Sequence, residues 1–408
     1  MLVTLVPLFD KSMKVSAYSL FSQKKNFLLN PALLGTGQND GAAVIDGLEV
    51  IQAIGIDTLS PGTDVFVPVS NIAIFSDIES QCRVPHERLV LLFDNMILNE
   101  KVYIDRLSQL KLEGYKLAIR KLPVSSYETS KEILNLMNYI IIDSKKVDVK
   151  KAKIYFGALY PKIKICAGNL ATQEIYDELK DEEGLSLFEG DFYRIPVTKG
   201  QTEIAPLKAN YIELLNMVND TDFELTRVAD VIGRDTALVL SLLEMVNRFS
   251  VNSEITSIRH AAAMLGQREL KKWINTIVTK ELCADRPSEV TRISLLRAKF
   301  AEMLAPLFGM EAKASELFLM GLFSVLDLIL NLPMDEALKK VNVSKEITEA
   351  LVSKKGDFAN VLDFMIQYEA ASWQEVSRMM ILQKVEMNDV YDAYLKSVCW
   401  YRDLVYTK

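Results

Sequence analysis

Residues 89–121 read LVLLFDNMILNEKVYIDRLSQLKLEGYKLAIRK. The run Leu89–Phe93 is apolar without a break. A stretch of helical spacing follows over Glu100–Glu113, and then a second run, Lys116–Ile119, that closes on Arg120 and Lys121. Short continuous apolar runs are strands covered on both faces, and a strand, a helix and a strand in this order make a parallel crossover. Working outward, the same alternation extends from residue 1 to about 200. Further strands are expected at Val3–Val6, Val15–Leu20, Val65–Val69, Tyr139–Ile142, Ile163–Ala167 and Leu185–Phe188, with helices at Ser130–Asn138, Val149–Ala158 and Thr172–Asp181. Strands in this number, linked by helices, predict an α/β fold closed into a TIM-like barrel.

After Ile195-Pro196 the pattern changes. VTKGQTEIAP has the composition of a linker, and beyond Leu207 strand signals give way to helical stripes, so an all-α region follows the α/β one. Tyr211, Leu214, Leu215 and Val218 form one face. Thr221-Asp222-Phe223-Glu224 has the form of a capping box, Asp235 and Ser257 are N-cap candidates, and Gly266 separates a short helix from one carrying Leu270, Trp273, Ile274, Ile277, Val278 and Leu282. Six more helices are expected: Ser288–Phe308, Lys313–Asn331, Ser344–Val352, Phe358–Ala370, Trp373–Leu382 and Asn388–Tyr406. The composition places the boundary near residue 198: a barrel over 1–198, then a helical domain over 199–408 with a core at about 206–284 and an extension at 285–408.

The 408 residues carry a net charge of -7, which argues against broad affinity for nucleic acid. The lysine-rich run Lys145–Lys164 is expected to be a solvated barrel helix. Cysteines 82, 166, 283 and 399 form no paired motif, so no zinc site or disulfide framework is indicated, and free thiols suit a reducing, cytoplasmic compartment. No stretch of uninterrupted apolar residues is long enough to span a bilayer, so no membrane association is expected.

VPLFDKSMKVSAYSLFS near the start, GYKLAI at 114–119, IIID at 140–143 and FEGDFYRIP at 188–196, in this order and spacing, resemble the EAL family of cyclic-di-GMP phosphodiesterases. That resemblance implies a barrel with two divalent cations at the C-terminal strand ends, held by carboxylates and one Asn. Aligned on these signatures, the metal-ligand positions fall on Ser19, Pro68, Leu92, Arg120, Lys121, Gly168 and Ala171, and the catalytic Lys position on Ile141. Asp143 alone keeps its expected type, and is read as a turn cap. Two hard cations need about six oxygens each. The resemblance therefore implies a degenerate site without metal, cofactor or catalytic residue, and not an enzyme. The cations Arg120 and Lys121 could attract phosphate, but cyclic-di-GMP binding is not expected.

Residues 241–274, SLLEMVNRFSVNSEITSIRHAAAMLGQRELKKWI, resemble the HDOD domain in Val246-Asn247, Ser257-Ile258-Arg259 and Leu265-Gly266. The chain has two histidines, His86 and His260, too few for the metal site of HD-type hydrolases. A degenerate EAL-like barrel joined to an HDOD domain implies a bacterial signalling regulator that works by contact with a protein partner. The alternative is a non-hydrolysing receptor for cyclic-di-GMP.

Overall fold

The structure, a computed structural model, describes residues 1–24, 28, 44–93, 97–194, 206–220, 223–247, 255–284, 286 and 288–406. Eight strands close into a barrel in sequence order: β1 Leu2–Phe9, β2 Val15–Gln23, β3 Asp64–Pro68, β4 Leu89–Phe93, β5 Lys116–Arg120, β6 Tyr139–Asp143, β7 Lys164–Leu170 and β8 Leu185–Gly190. β2 to β8 are parallel, and β1 runs antiparallel to both of its neighbours. The expectation of parallel units throughout therefore fails at the first strand. The reason is length: the turn from Asp10 to Lys14 cannot hold a crossover. It is instead fixed by Asp10, whose carboxylate accepts from Ser12 N, Ser12 Oγ and Lys14 N at 2.8, 2.6 and 3.0 Å.

Leu8, Ala17, Phe66, Val90, Leu92, Ala118, Tyr139, Ile141, Cys166 and Leu187 fill the barrel interior. Outside it run Lys101–Leu112, Lys131–Leu136, Val149–Leu159 and Gln173–Leu179. In the lysine-rich run, Lys150 and Lys153 reach Glu178 and Glu182 at 2.7 Å each, so these charges pair between neighbouring helices. A hairpin supplies no helix between β1 and β2, yet seven of the eight β1 residues are buried.

The missing cover comes from the far end of the chain. Contacts divide the protein into one unit of residues Met1–Ile195 with Asp363–Lys408, and a second of Pro196–Leu362. A boundary near 198 assigns all of 199–408 to the helical domain; the contacts instead group the last three helices, Asp357–Glu369 from residue 363 onward, Trp373–Gln383 and Met387–Tyr406, with the barrel. Their attachments are specific. The buried Tyr368 hydroxyl accepts from Val3 N at 3.2 Å, Gln23 Nε2 donates to Ser377 Oγ at 3.2 Å, and Arg402 Nη1 donates to Thr58 Oγ1 at 3.1 Å. Because β1 is reversed, its start and the end of β2 lie at the same end of the barrel. The first two bonds thus anchor the C-terminal helices at the mouth, while β1 pairs with β8 through Phe9 and Phe188 at its other end.

The second unit is helical: Pro206–Asn219, Leu225–Ile232, Thr236–Asn247, Ile258–Leu282, Ser288–Leu304 and Ala314–Phe323, then shorter turns to Ser353. Thr221 and Asp222 of the expected capping box lie outside the described residues. Asp235 and Ser257 cap as expected, accepting from Leu238 N at 3.1 Å and His260 N at 3.4 Å. Gly266 breaks the Ile258–Leu282 segment with φ 73°, a conformation costly for any residue with a β-carbon. Trp273 is buried in the apolar stripe, and Asn247 clamps the backbone of Ile255 through Ile255 N at 2.7 Å and Ile255 O at 3.0 Å. The expected Lys313–Asn331 helix is two, Ala314–Phe323 and Leu326–Leu330.

If the C-terminal helices complete the barrel, Tyr368→Phe strips a buried N–H of its partner and should lower stability by about 1–3 kcal/mol. Denaturant unfolding of the full chain checks this; an unchanged midpoint would mean that the hydroxyl bond does not hold the helices there.

Candidate functional site

Chemistry in a β/α barrel is placed at the C-terminal strand ends, where alternate residues point inward. Leu8, Ala17, Tyr139, Ile141 and Leu187 face the interior. The same alternation carries Ser19, Pro68, Arg120, Asp143, Gly168 and Glu189 to the mouth. Lys121, one residue on, is exposed and takes φ 58°, which sets it apart from Arg120.

Arg120 crosses the mouth. Its Nη2 lies 2.6 Å from Glu189 Oε2 and 3.4 Å from Ser19 Oγ, and its guanidinium sits 5.4 Å from the centre of the Phe21 ring. The Arg120 and Glu189 side chains are only 11% and 14% exposed. A buried charge of either sign is costly alone, so each residue makes the other tolerable. Arg120 Nε is buried with no hydrogen-bond partner, a residual cost of fitting the guanidinium into this space. Below the pair, burial raises the Cys166 thiol well above its ordinary range, reinforced by Glu189 and opposed by Arg120.

The other aligned positions are occupied by packing. Leu92 and Ser19 are fully buried, and Ile141 nearly so. A β-carbon on Gly168 would come within 2.9 Å of Ile141 Cγ2, so an acidic side chain there meets a hydrocarbon wall. Ala171 is exposed beyond β7. Asp143 caps the turn that follows β6, accepting from Lys145 N at 3.0 Å, with Lys146 Nζ 4.0 Å away. Among the described residues, Glu189 and Asp143 offer carboxylates here, the first held by Arg120 and the second by a turn. Among the described residues no group of three His, Cys, Asp or Glu side chains is arranged to hold a metal ion. The donors present do not fit a pair of divalent cations.

Two expectations change. Arg120 is not an open phosphate-attracting charge, because a carboxylate already neutralises it. The residue that does so, Glu189, was not singled out by the sequence. Its signal was there in FEGD, an acid two residues past the inward-facing Leu187. His260 is exposed and bonded only through its backbone, while His86 stacks on Tyr115 at 4.2 Å and bonds through Nδ1 to Glu113 O at 2.8 Å. Neither approaches a ligand cluster.

Comparison with known proteins agrees with this architecture. The HDOD domain family matches residues 204–354, a span that runs past the expected core at 206–284. The uncharacterized protein YuxH of Bacillus subtilis is 26% identical over 98% of this chain and 98% of its own. The cyclic di-GMP phosphodiesterase CdgJ of Vibrio cholerae is 27% identical over 54% of this chain and 52% of its own length. A solved standalone EAL protein from Vibrio cholerae, with cyclic-di-GMP bound, is 14% identical over 47% of this chain and 90% of that one, with a TM-score of 0.35. The protein is thus a closed eight-stranded barrel followed by an all-helical region. Within that region, residues 204–354 are an HDOD domain.

The buried pair makes a quantitative claim. Glu189→Ala should cost about 3–5 kcal/mol by leaving Arg120 charged and unpaired, whereas Arg120→Met with Glu189→Leu should recover most of the loss. A double-mutant cycle by chemical denaturation measures it. Additive losses would show that the two charges do not depend on each other.

Proposed function

We propose that this protein is a non-catalytic regulator of the cyclic-di-GMP signalling class in bacteria, cytoplasmic, acting by contact with a protein partner. Its barrel does not hydrolyse the nucleotide. The observation that carries this reading is the Arg120–Glu189 pair: a guanidinium occupies the place where the EAL resemblance puts adjacent acidic metal ligands. Phosphodiester hydrolysis by a metal pair requires a clamp on both the attacking and the leaving oxygen, and an arginine held by its own carboxylate offers no such clamp.

The match to a relative named as a cyclic-di-GMP phosphodiesterase supports the signalling class, and the HDOD domain supports a module whose work is done without metal chemistry. Among the described residues no helix is long and apolar enough to cross a membrane. The net charge of -7 favours a protein partner over nucleic acid.

Incubated with cyclic-di-GMP and millimolar Mg²⁺ or Mn²⁺, the full chain should release no linear product. Arg120→Asp should release none either, since the single exchange sets a second carboxylate against Glu189 and restores no other ligand. A ligand at about 100 times its Kd stabilises by about 2.7 kcal/mol, so binding without turnover is visible by melting. No shift is expected with micromolar nucleotide. A reproducible rise would move the reading to a non-hydrolysing receptor, and turnover by the wild-type chain would overturn it.

A further inference from the structure

A cavity of about 440 Å³ lies within the helical unit, between the helices Pro206–Asn219, Ile258–Leu282 and Ala314–Phe323. Its volume falls in the range of small-molecule sites. Val218, Phe318 and Leu319 give it an apolar floor, all three buried. The polar wall is largely committed. Asn275 donates to Lys271 O at 2.9 Å and exchanges hydrogen bonds with Asn219 at 2.9 and 3.2 Å. Both Glu302 oxygens lie 2.7 Å from Lys272 Nζ, and Oε2 also accepts from Lys299 at 2.8 Å, so two ammonium groups share one carboxylate. Lys272 Nζ in turn sits 4.9 Å from the centre of the Phe318 ring.

Two cations in the lining make no ion pair shorter than 3.9 Å, while Asp220, the acid of the lining besides Glu302, has an interaction of its own. Lys271 is half-buried, and among the described residues its ammonium makes no hydrogen bond or ion pair. Arg268, exposed at the rim, has one ionic contact, Glu269 at 3.9 Å. Burial pushes the Lys271 ammonium below its ordinary range, with the Glu316 charge opposing. A partly desolvated cation that makes no close ion pair is costly, and in a chain of net charge -7 a wall with Arg268, Lys271 and Lys272 against Asp220 and Glu302 is a local exception.

We propose that this cavity binds a small organic anion, an apolar body carrying one phosphate or carboxylate group, with the body on Phe318 and Leu319 and the anion against Lys271 and Arg268. The ligand would supply a close counter-ion while covering the apolar floor, which neither inorganic phosphate nor a neutral hydrocarbon does. The site is lined by residues of the helical unit, so the proposal holds whether or not the barrel turns over a substrate.

Calorimetric titration of the full chain tests this with two anions, adenosine monophosphate and octanoate, each against its uncharged counterpart, adenosine and octanol. At least one anion should bind with a Kd below about 1 mM, and its counterpart about tenfold more weakly or worse. The anion that binds identifies the head group as phosphate or carboxylate. Lys271→Met should weaken that anion by about tenfold without lowering the melting temperature, because no ion pair is lost. Arg268→Gln, at the exposed rim, should weaken it in the same sense and cannot be confused with misfolding. Leu319→Trp should block the site. Binding of neither anion, equal binding of the neutral counterpart, or anion binding that survives both Lys271→Met and Leu319→Trp would overturn the proposal.

Discussion

Arg120 and Glu189 stand 69 residues apart in the chain and 2.6 Å apart across the barrel mouth. Neither is tolerable there alone, since a buried unpaired charge costs more than most single interactions return. The pair decides what the mouth can be. It neutralises the Arg120 guanidinium and takes up a carboxylate beside the positions that the EAL resemblance assigns to metal ligands. Phe21 lies against the arginine, and Ile141 stands where a side chain at Gly168 would go. The pair ties β8 to β5 across the barrel interior.

A second constraint follows from the short turn at Asp10–Lys14. It forces β1 antiparallel, leaves the first two strands without the helix that a crossover would bring, and opens the ladder between β1 and β8 to a single pair. Tyr368 meets the backbone N–H of Val3 on β1, and Ser377 the side chain of Gln23 at the end of β2. Residues 363–408 are therefore part of the barrel's own cover, although the HDOD domain lies between them and the strands in sequence.

The strands were legible because their apolar runs are continuous: Leu89–Phe93 is found with the bounds read from sequence, and Tyr139–Ile142 needs one added residue. Cap residues such as Asp235 and Ser257 were legible because capping is a local bond. Strand direction at β1 was missed because composition marks a strand without its polarity. The placement of the last helices was missed for a related reason: an amphipathic face shows that a helix packs, and not against what. At the site, the residues at the positions that the resemblance assigns to metal ligands could be read one by one, but the partner of Arg120 could not. Glu189 meets it only after the barrel closes. The cavity beside Lys271 is equally a product of packing, formed by helices far apart in the chain.

Counting bound Mn²⁺ per full-length chain by equilibrium dialysis, in the presence of cyclic-di-GMP, tests the central claim most directly. The account predicts no bound ion at micromolar Mn²⁺, because the carboxylates described at the mouth are held, Glu189 by arginine and Asp143 by a turn. Two ions per chain, lost together in a Glu189→Gln variant, would contradict it.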